Sequence, residues 1–336
     1  MIIWLDYARI FAIYAVILLH VSAGLIGAND IGTENWWIGN IYDSAVRWAV
    51  PVLVMISGAL LLDSNKQESL LVFYKKRASR ILIPLITWSL IFLVWAAWQE
   101  HLTGREITIT FFAKKILLGK PYYHMWFLYM LPWLYLFTPF IRKTVSCFGK
   151  GELILLTVVL FVLSALNHLY GKMFSVKSML FINWFILYLP YFIAGYLIRK
   201  DKNNYSNLFL FFVLILSLIV TAGGCYIVAL NYGLELGLYF YGSLSISVIP
   251  LAISIMYLIK KINIPIFGLK VTKKISFLSF GVYLIHPIIL EIIKPLGLWN
   301  NLNAVVSVPL ITSIVFLVSL LAVWGLSKIP YIRRII

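Results

Sequence analysis

Residues 8–20, ARIFAIYAVILLH, hold an arginine at one end and a histidine at the other of a run otherwise free of charge. Arg9 and His20 are eleven residues apart. Eleven helical steps return to within about 20° of the start and climb about 16 Å, so both side chains share one stripe of a helix. Three more ionisable residues sit in apolar stretches: Arg47 in SAVRWAVPVLVMISG, His124 in YYHMWFLYMLPW and His286 in ISFLSFGVYLIHPIIL. Imidazoles exchange protons near neutral pH, and ionisable groups held in hydrocarbon mark function by default. Metal binding by the three histidines is the other chemistry open to them. HxxxH spacing and inward-facing carboxylates are missing, which disfavours it.

The elements that must position these residues follow from composition. The 336-residue chain is 62% hydrophobic and only 12% charged, against about 25% charged in soluble domains, and its mean hydropathy is +0.95. That excludes an ordinary soluble protein and predicts an all-α, polytopic membrane helix bundle. Ten runs are long and apolar enough to span a bilayer, at roughly 8–28, 45–62, 81–98, 122–141, 152–167, 180–198, 207–230, 237–259, 275–293 and 304–327. They lack the alternation of membrane strands. Residues 1–336 read as a single transmembrane domain with no soluble appendage, and the first helix reads as retained rather than cleaved. The 99–121 stretch includes ITITFFAKKILLG, which is suited to a short helix lying on the outer surface.

The formal charge of +16 does not signal nucleic acid, because the basic residues sit in short loops between apolar runs. With the N-terminus cytoplasmic, nineteen Lys and Arg fall on the cytoplasmic side and seven outside, with Arg9 and Arg47 inside helices. An even number of spans puts both termini in the cytoplasm. In that frame His20, Arg47, His124 and His286 gather at similar depth in the outer half of four helices, and Arg9 stands alone near the cytoplasmic face. Such an arrangement suits a reaction whose donor enters from the cytoplasm and whose acceptor arrives from the other side. Structural readings stay open for each residue. Arg9 can snorkel to lipid phosphates, His124 can be an interfacial residue, and His286 can bond a carbonyl freed by Pro287. His101 and His168 read as solvated loop-edge residues. Cys147 and Cys225 form no motif.

These residues resemble integral-membrane acyltransferase family 3. The resemblance rests on Arg9-x10-His20, on Arg47-x3-Pro51-x5-Ser57-Gly58, on His124-x-Trp126-Phe127, and on Ser279 to Pro287 (SFGVYLIHP), in order over nearly the whole chain. It looks like the stand-alone O-acetyltransferase type, similar to the enzymes acting on enterobacterial common antigen. The resemblance implies a multi-pass protein of the bacterial inner membrane that transfers an acetyl or other acyl group. It implies cytoplasmic acetyl-CoA as the donor, a co-substrate rather than a resident cofactor; a metal is already disfavoured by the residue spacing. The acceptor is a hydroxyl of a surface polysaccharide or its lipid-linked precursor.

In that chemistry Arg9, aided by Arg77, Arg80 or Lys274, holds the nucleotide phosphates, and the pantetheine arm threads toward His20. His20 acts as general base or carries the acyl group. Arg47 or His286 stabilises the oxyanion. Tyr283 orients a histidine, while Glu34 and Asp43 orient His20 or contact the sugar. Ser57, His124 and Trp126 line the site. The alternative is a transporter of polysaccharide or small molecules using the buried His and Arg residues.

Overall fold

The computed structural model describes residues 2–63, 68–104, 106–174, 181–264, 268–297 and 302–336. Three basic residues used to orient the chain, Lys66, Arg105 and Lys177, lie outside the described residues. The described residues contain helices and no strand. In hydrocarbon a backbone must bond within its own segment, and the helix does so.

In chain order the helices are α1 (Ile3–Ala28), α2 (Glu34–Val46), α3 (Ala49–Leu61), α4 (Leu70–Leu102), α5 (Ile109–Leu117), α6 (Trp126–Cys147) and α7 (Lys150–Met173). They continue with α8 (Trp184–Lys200), α9 (Asn207–Tyr232), the single turn α10 (Leu234–Gly237), α11 (Val248–Lys260), α12 (Leu269–Ile293) and α13 (Ala304–Leu326). Among the described residues, eight segments are long and apolar enough to cross a membrane. The other two runs expected to span are also helical. α6 has 22 residues and bears Arg142 and Lys143 near its end. The expected 237–259 run forms a regular α-helix only over Val248–Lys260, after a 3₁₀ turn at Leu238–Tyr241 and a bend rich in glycine and serine.

Two expected boundaries move. The second span starts at Glu34 and breaks between α2 and α3 at Arg47–Trp48. Pro51 has no N–H for the Arg47 carbonyl, and its ring crowds that carbonyl, so an unbroken helix is disfavoured there. The third span is longer than its apolar core, which places Arg77 and Arg80 on α4 rather than in a loop. His168 is likewise not at a solvated loop edge. It lies on α7, half-buried, with its ring stacked on Tyr239 at 5.2 Å.

Helix packing centres on α1, which contacts α2, α3, α12 and α13. The α3–α8 contact depends on two glycines. A Cβ on Gly58 would run into the Phe192 backbone, and one on Gly195 into the Met55 backbone. Small residues that let helix backbones touch are the usual packing device where no hydrophobic effect drives helices together. The C-terminal carbonyls of α3 are taken up by basic side chains. Arg199 Nη1 donates to Ala59 O at 2.5 Å and Arg142 Nη2 to Leu61 O at 2.7 Å. The short α5 has no buried residue, as expected of a helix at a surface.

Candidate active site

α1 and α12 run side by side in the same direction and meet at two polar levels. The first lies near their starts. Arg9 Nη1 donates to Ser276 Oγ at 2.8 Å, and Ser276 Oγ donates to Asp6 Oδ1 at 2.7 Å. Asp6 also pairs with Arg9 at 3.6 Å, one turn away on α1. The guanidinium is therefore fixed between a carboxylate and a hydroxyl rather than trailing toward lipid.

The second level holds the histidines. Pro287 has no N–H, which leaves the Tyr283 carbonyl without its i+4 partner. His286 Nδ1 fills that place at 2.7 Å. His286 is fully buried, and its Nε2 has no hydrogen-bond partner. The His20 ring stacks on it with centroids 5.4 Å apart and an 18° interplanar angle. His20 also meets Tyr123 edge to face, with ring centroids 4.7 Å apart. His124 arrives from the turn before α6, 5.4 Å from the His286 ring. Tyr283 holds that turn by donating its hydroxyl to His124 O at 2.5 Å, and Phe92 of α4 closes against the His124 ring at 4.8 Å. Three imidazoles from three elements thus converge. Among the described residues no three His, Cys, Asp or Glu side chains are placed to share a metal ion.

The hydrogen bond, ion pair and ring contact of Arg47 all go to residues other than the histidines. Arg47 sits at the α2–α3 break, paired with the fully buried Asp43. Its guanidinium lies 4.2 Å over the Tyr241 ring and donates to Tyr241 O at 3.2 Å. Tyr241 in turn donates to Asn40 Oδ1 at 2.6 Å. Glu34, at the exposed start of α2, borders an open hollow with Asn29, Asp30 and Thr33 and does not join this group.

Beyond the Arg9 level, Ser57 Oγ and Tyr135 OH lie 3.1 Å apart. Arg77 and Arg142 flank the Phe73 ring at 5.3 and 5.4 Å, with Arg80 exposed one turn further on. Lys274 is not part of this basic group. It lies over Trp324 at 5.0 Å, where Lys328 also sits. Trp126 packs against Tyr188 and Trp184.

Sequence reasoning passed over Asp6, Ser276, Tyr135, Arg142 and Glu291. Glu291 accepts from Trp95 Nε1 at 2.6 Å and from Gln99, tying α12 to α4. The rule that singled out His286 also covers Glu291, which is ionisable within the same expected span. Asp6 stands three residues before Arg9, a spacing that pairs charges on a helix.

Fold and site define a multi-pass helical membrane protein built around a histidine cluster in which His124 and His286 are buried and His20 is half-buried. The model of the family described as Acyltransferase domain matches residues 2–328. The chain belongs to this family, acyltransferase family 3, and is a membrane acyltransferase. No curated protein and no solved structure matches it.

Proposed function

We propose that this chain is an O-acetyltransferase of a bacterial inner membrane, moving the acetyl group of cytoplasmic acetyl-CoA to a hydroxyl of a surface polysaccharide or its lipid-linked precursor. One observation supports this most. The Arg9 and histidine levels lie on the same pair of helices, ten to eleven residues apart on each, or about 15–16 Å at 1.5 Å per residue. That is a reach suited to an extended pantetheine arm. In this reading the nucleotide phosphates bind at Arg9, Arg77 and Arg80, and the thioester lies beside His20.

His20 takes the proton of the acceptor hydroxyl as its oxygen bonds to the thioester carbon. The carbonyl oxygen becomes anionic and is stabilised by Arg47, whose buried partner Asp43 holds it in place. Collapse breaks the C–S bond, and the thiolate leaves with the proton as coenzyme A thiol. A donor aimed at such an oxyanion is worth about two to three orders of magnitude in rate. His124 and Tyr283 shape the pocket wall, and Ser57 lines the path from the basic group.

The purified protein in detergent, given radiolabelled acetyl-CoA and a glycolipid extract from its host, should release free thiol and label the extract. His20→Ala and Arg47→Ala should each reduce this at least about 100-fold while the protein still purifies as a monodisperse species. Near-normal turnover by a folded His20→Ala variant overturns the assignment. Mass spectrometry of the host's glycans with and without the gene then names the acyl group and its acceptor.

A further inference from the structure

We propose that Pro287 is a positioning residue that fixes the tautomer of His286, placing its N–H on Nδ1 and its lone pair on Nε2 inside the histidine cluster. Three observations carry this. A carbonyl oxygen can only accept, so the 2.7 Å contact of His286 Nδ1 with Tyr283 O requires the hydrogen on Nδ1. That carbonyl is free for the contact because the residue four positions on is Pro287, which brings no N–H. In neutral imidazole the other nitrogen is then an acceptor, and here Nε2 is fully buried with no partner. It lies in a ring stacked against His20 and 5.4 Å from His124.

The consequence separates two roles open to His286. A neutral His286 cannot donate to a developing oxyanion from Nε2. It can accept a hydrogen bond there, from the acceptor hydroxyl or from a protonated His20. Oxyanion stabilisation then falls to Arg47, and His286 orients the nucleophile.

Pro309 offers an internal comparison. On α13 it likewise frees a carbonyl, that of Val305, which accepts from Tyr42 OH at 2.7 Å. The same backbone chemistry is present there without an imidazole.

The test has two arms. In ¹⁵N-histidine-labelled protein in detergent, the His286 signals, assigned with His286→Asn, should show the Nδ1–H tautomer. Pro287→Ala restores a backbone N–H that competes for Tyr283 O, and the signals should move toward the Nε2–H form. Finding Nε2–H in the unsubstituted protein, or an unchanged Nδ1–H signature in Pro287→Ala, overturns the proposal. This arm does not depend on the reaction. The kinetic arm rests on the acetyltransferase reading. There, Pro287→Ala should lower kcat at least tenfold with the KM for acetyl-CoA changed less than twofold, while Pro309→Ala stays within twofold of the parent on both. Equal kinetic losses in the two proline variants reduce Pro287 to a structural kink. If Pro287→Ala does not fold, the unsubstituted protein's spectrum still decides the tautomer. His286→Asn then decides the lone pair: its amide can bond Tyr283 O but leaves nothing at the Nε2 position, and full activity in it overturns the role.

Discussion

Arg9 is the residue whose surroundings change most between sequence and structure. In the sequence it is a lone cation near a helix start, equally suited to lipid phosphate. In the structure Asp6 and Ser276 hold it. A guanidinium positioned this way keeps donors for a second anion, because it has five N–H groups in a planar fork. If it binds the nucleotide end of the donor, Arg9→Ala should raise the KM for acetyl-CoA about tenfold or more with a smaller fall in kcat. Ser276→Ala should do the same more weakly. The opposite pattern, a kcat collapse at constant KM, would place Arg9 in the chemistry instead. This partner set was only partly legible. The Asp6–Arg9 spacing is local and can be read from the sequence. Ser276 lies 267 residues away, and nothing in a single sequence announces that α1 and α12 are neighbours. The histidines were legible for a different reason. Each is conspicuous in its own apolar run, and depth follows from counting residues along a span.

At the scale of elements, apolar runs reveal where helices are but not where they end or break. The α2–α3 junction was hidden because the residues before Arg47 (ENWWIGNIYDSAV) mix polar and aromatic residues and fall below the hydropathy of a span core. Pro51 was the available signal, read as a motif residue rather than as a break. The break matters because it frees Arg47 from the regular helix beside Tyr241. The α3–α8 contact is a second element-level feature. Ser57 reads as a residue lining the site, and its neighbour Gly58 is packed directly on the Phe192 backbone. Gly58→Ala should therefore separate the two helices and destabilise the detergent-solubilised protein by about 1–3 kcal/mol or more, the usual cost of overpacking. The check is thermal unfolding in a Cys147→Ser background, which removes the exposed thiol, monitored by a thiol-reactive dye at the buried Cys225. A melting temperature equal to the parent's would show that this contact tolerates a methyl group.

α7, α8 and α11 are joined at Asp201, outside the spans. Its carboxylate accepts from Lys150 Nζ at 2.9 Å and Tyr257 OH at 2.8 Å, and Lys260 Nζ donates to its carbonyl. Partial burial pushes the carboxyl up, but the Lys150 and Tyr257 hydrogen bonds, the Asn203 amide and the Lys150 charge outweigh it and bring the pKa down to about 2. A carboxyl more acidic in the folded than in the unfolded state stabilises the fold above its unfolded pKa, about 3.9. That contribution fades as pH falls through about 4 toward about 2. Asp201→Asn should flatten the acid limb of the stability curve in that window and leave the span-buried histidines untouched. An acid limb identical to the parent's would assign the sensitivity to other carboxylates.

The whole molecule turns these local features into a direction. The charge pattern of the sequence assigns nineteen basic residues to the cytoplasmic side; Arg9 lies near the start of α1, and Arg77 and Arg80 lie in the first part of α4. The histidines sit further along α1 and α12, beside Tyr123, which is 42% exposed. On the proposed acetyltransferase reading, donor and acceptor approach from opposite faces, so the transfer should be vectorial. Sealed inverted vesicles, with the cytoplasmic face outward, should consume added radiolabelled acetyl-CoA and accumulate acetylated glycolipid on the lumenal leaflet. Sealed right-side-out vesicles should be nearly inactive until permeabilised, since acetyl-CoA is too polar and charged to cross a bilayer. Equal activity in both preparations, at matched integrity, would mean that the thioester reaches His20 without passing Arg9. The two levels on α1 would then be separate features rather than the two ends of one path.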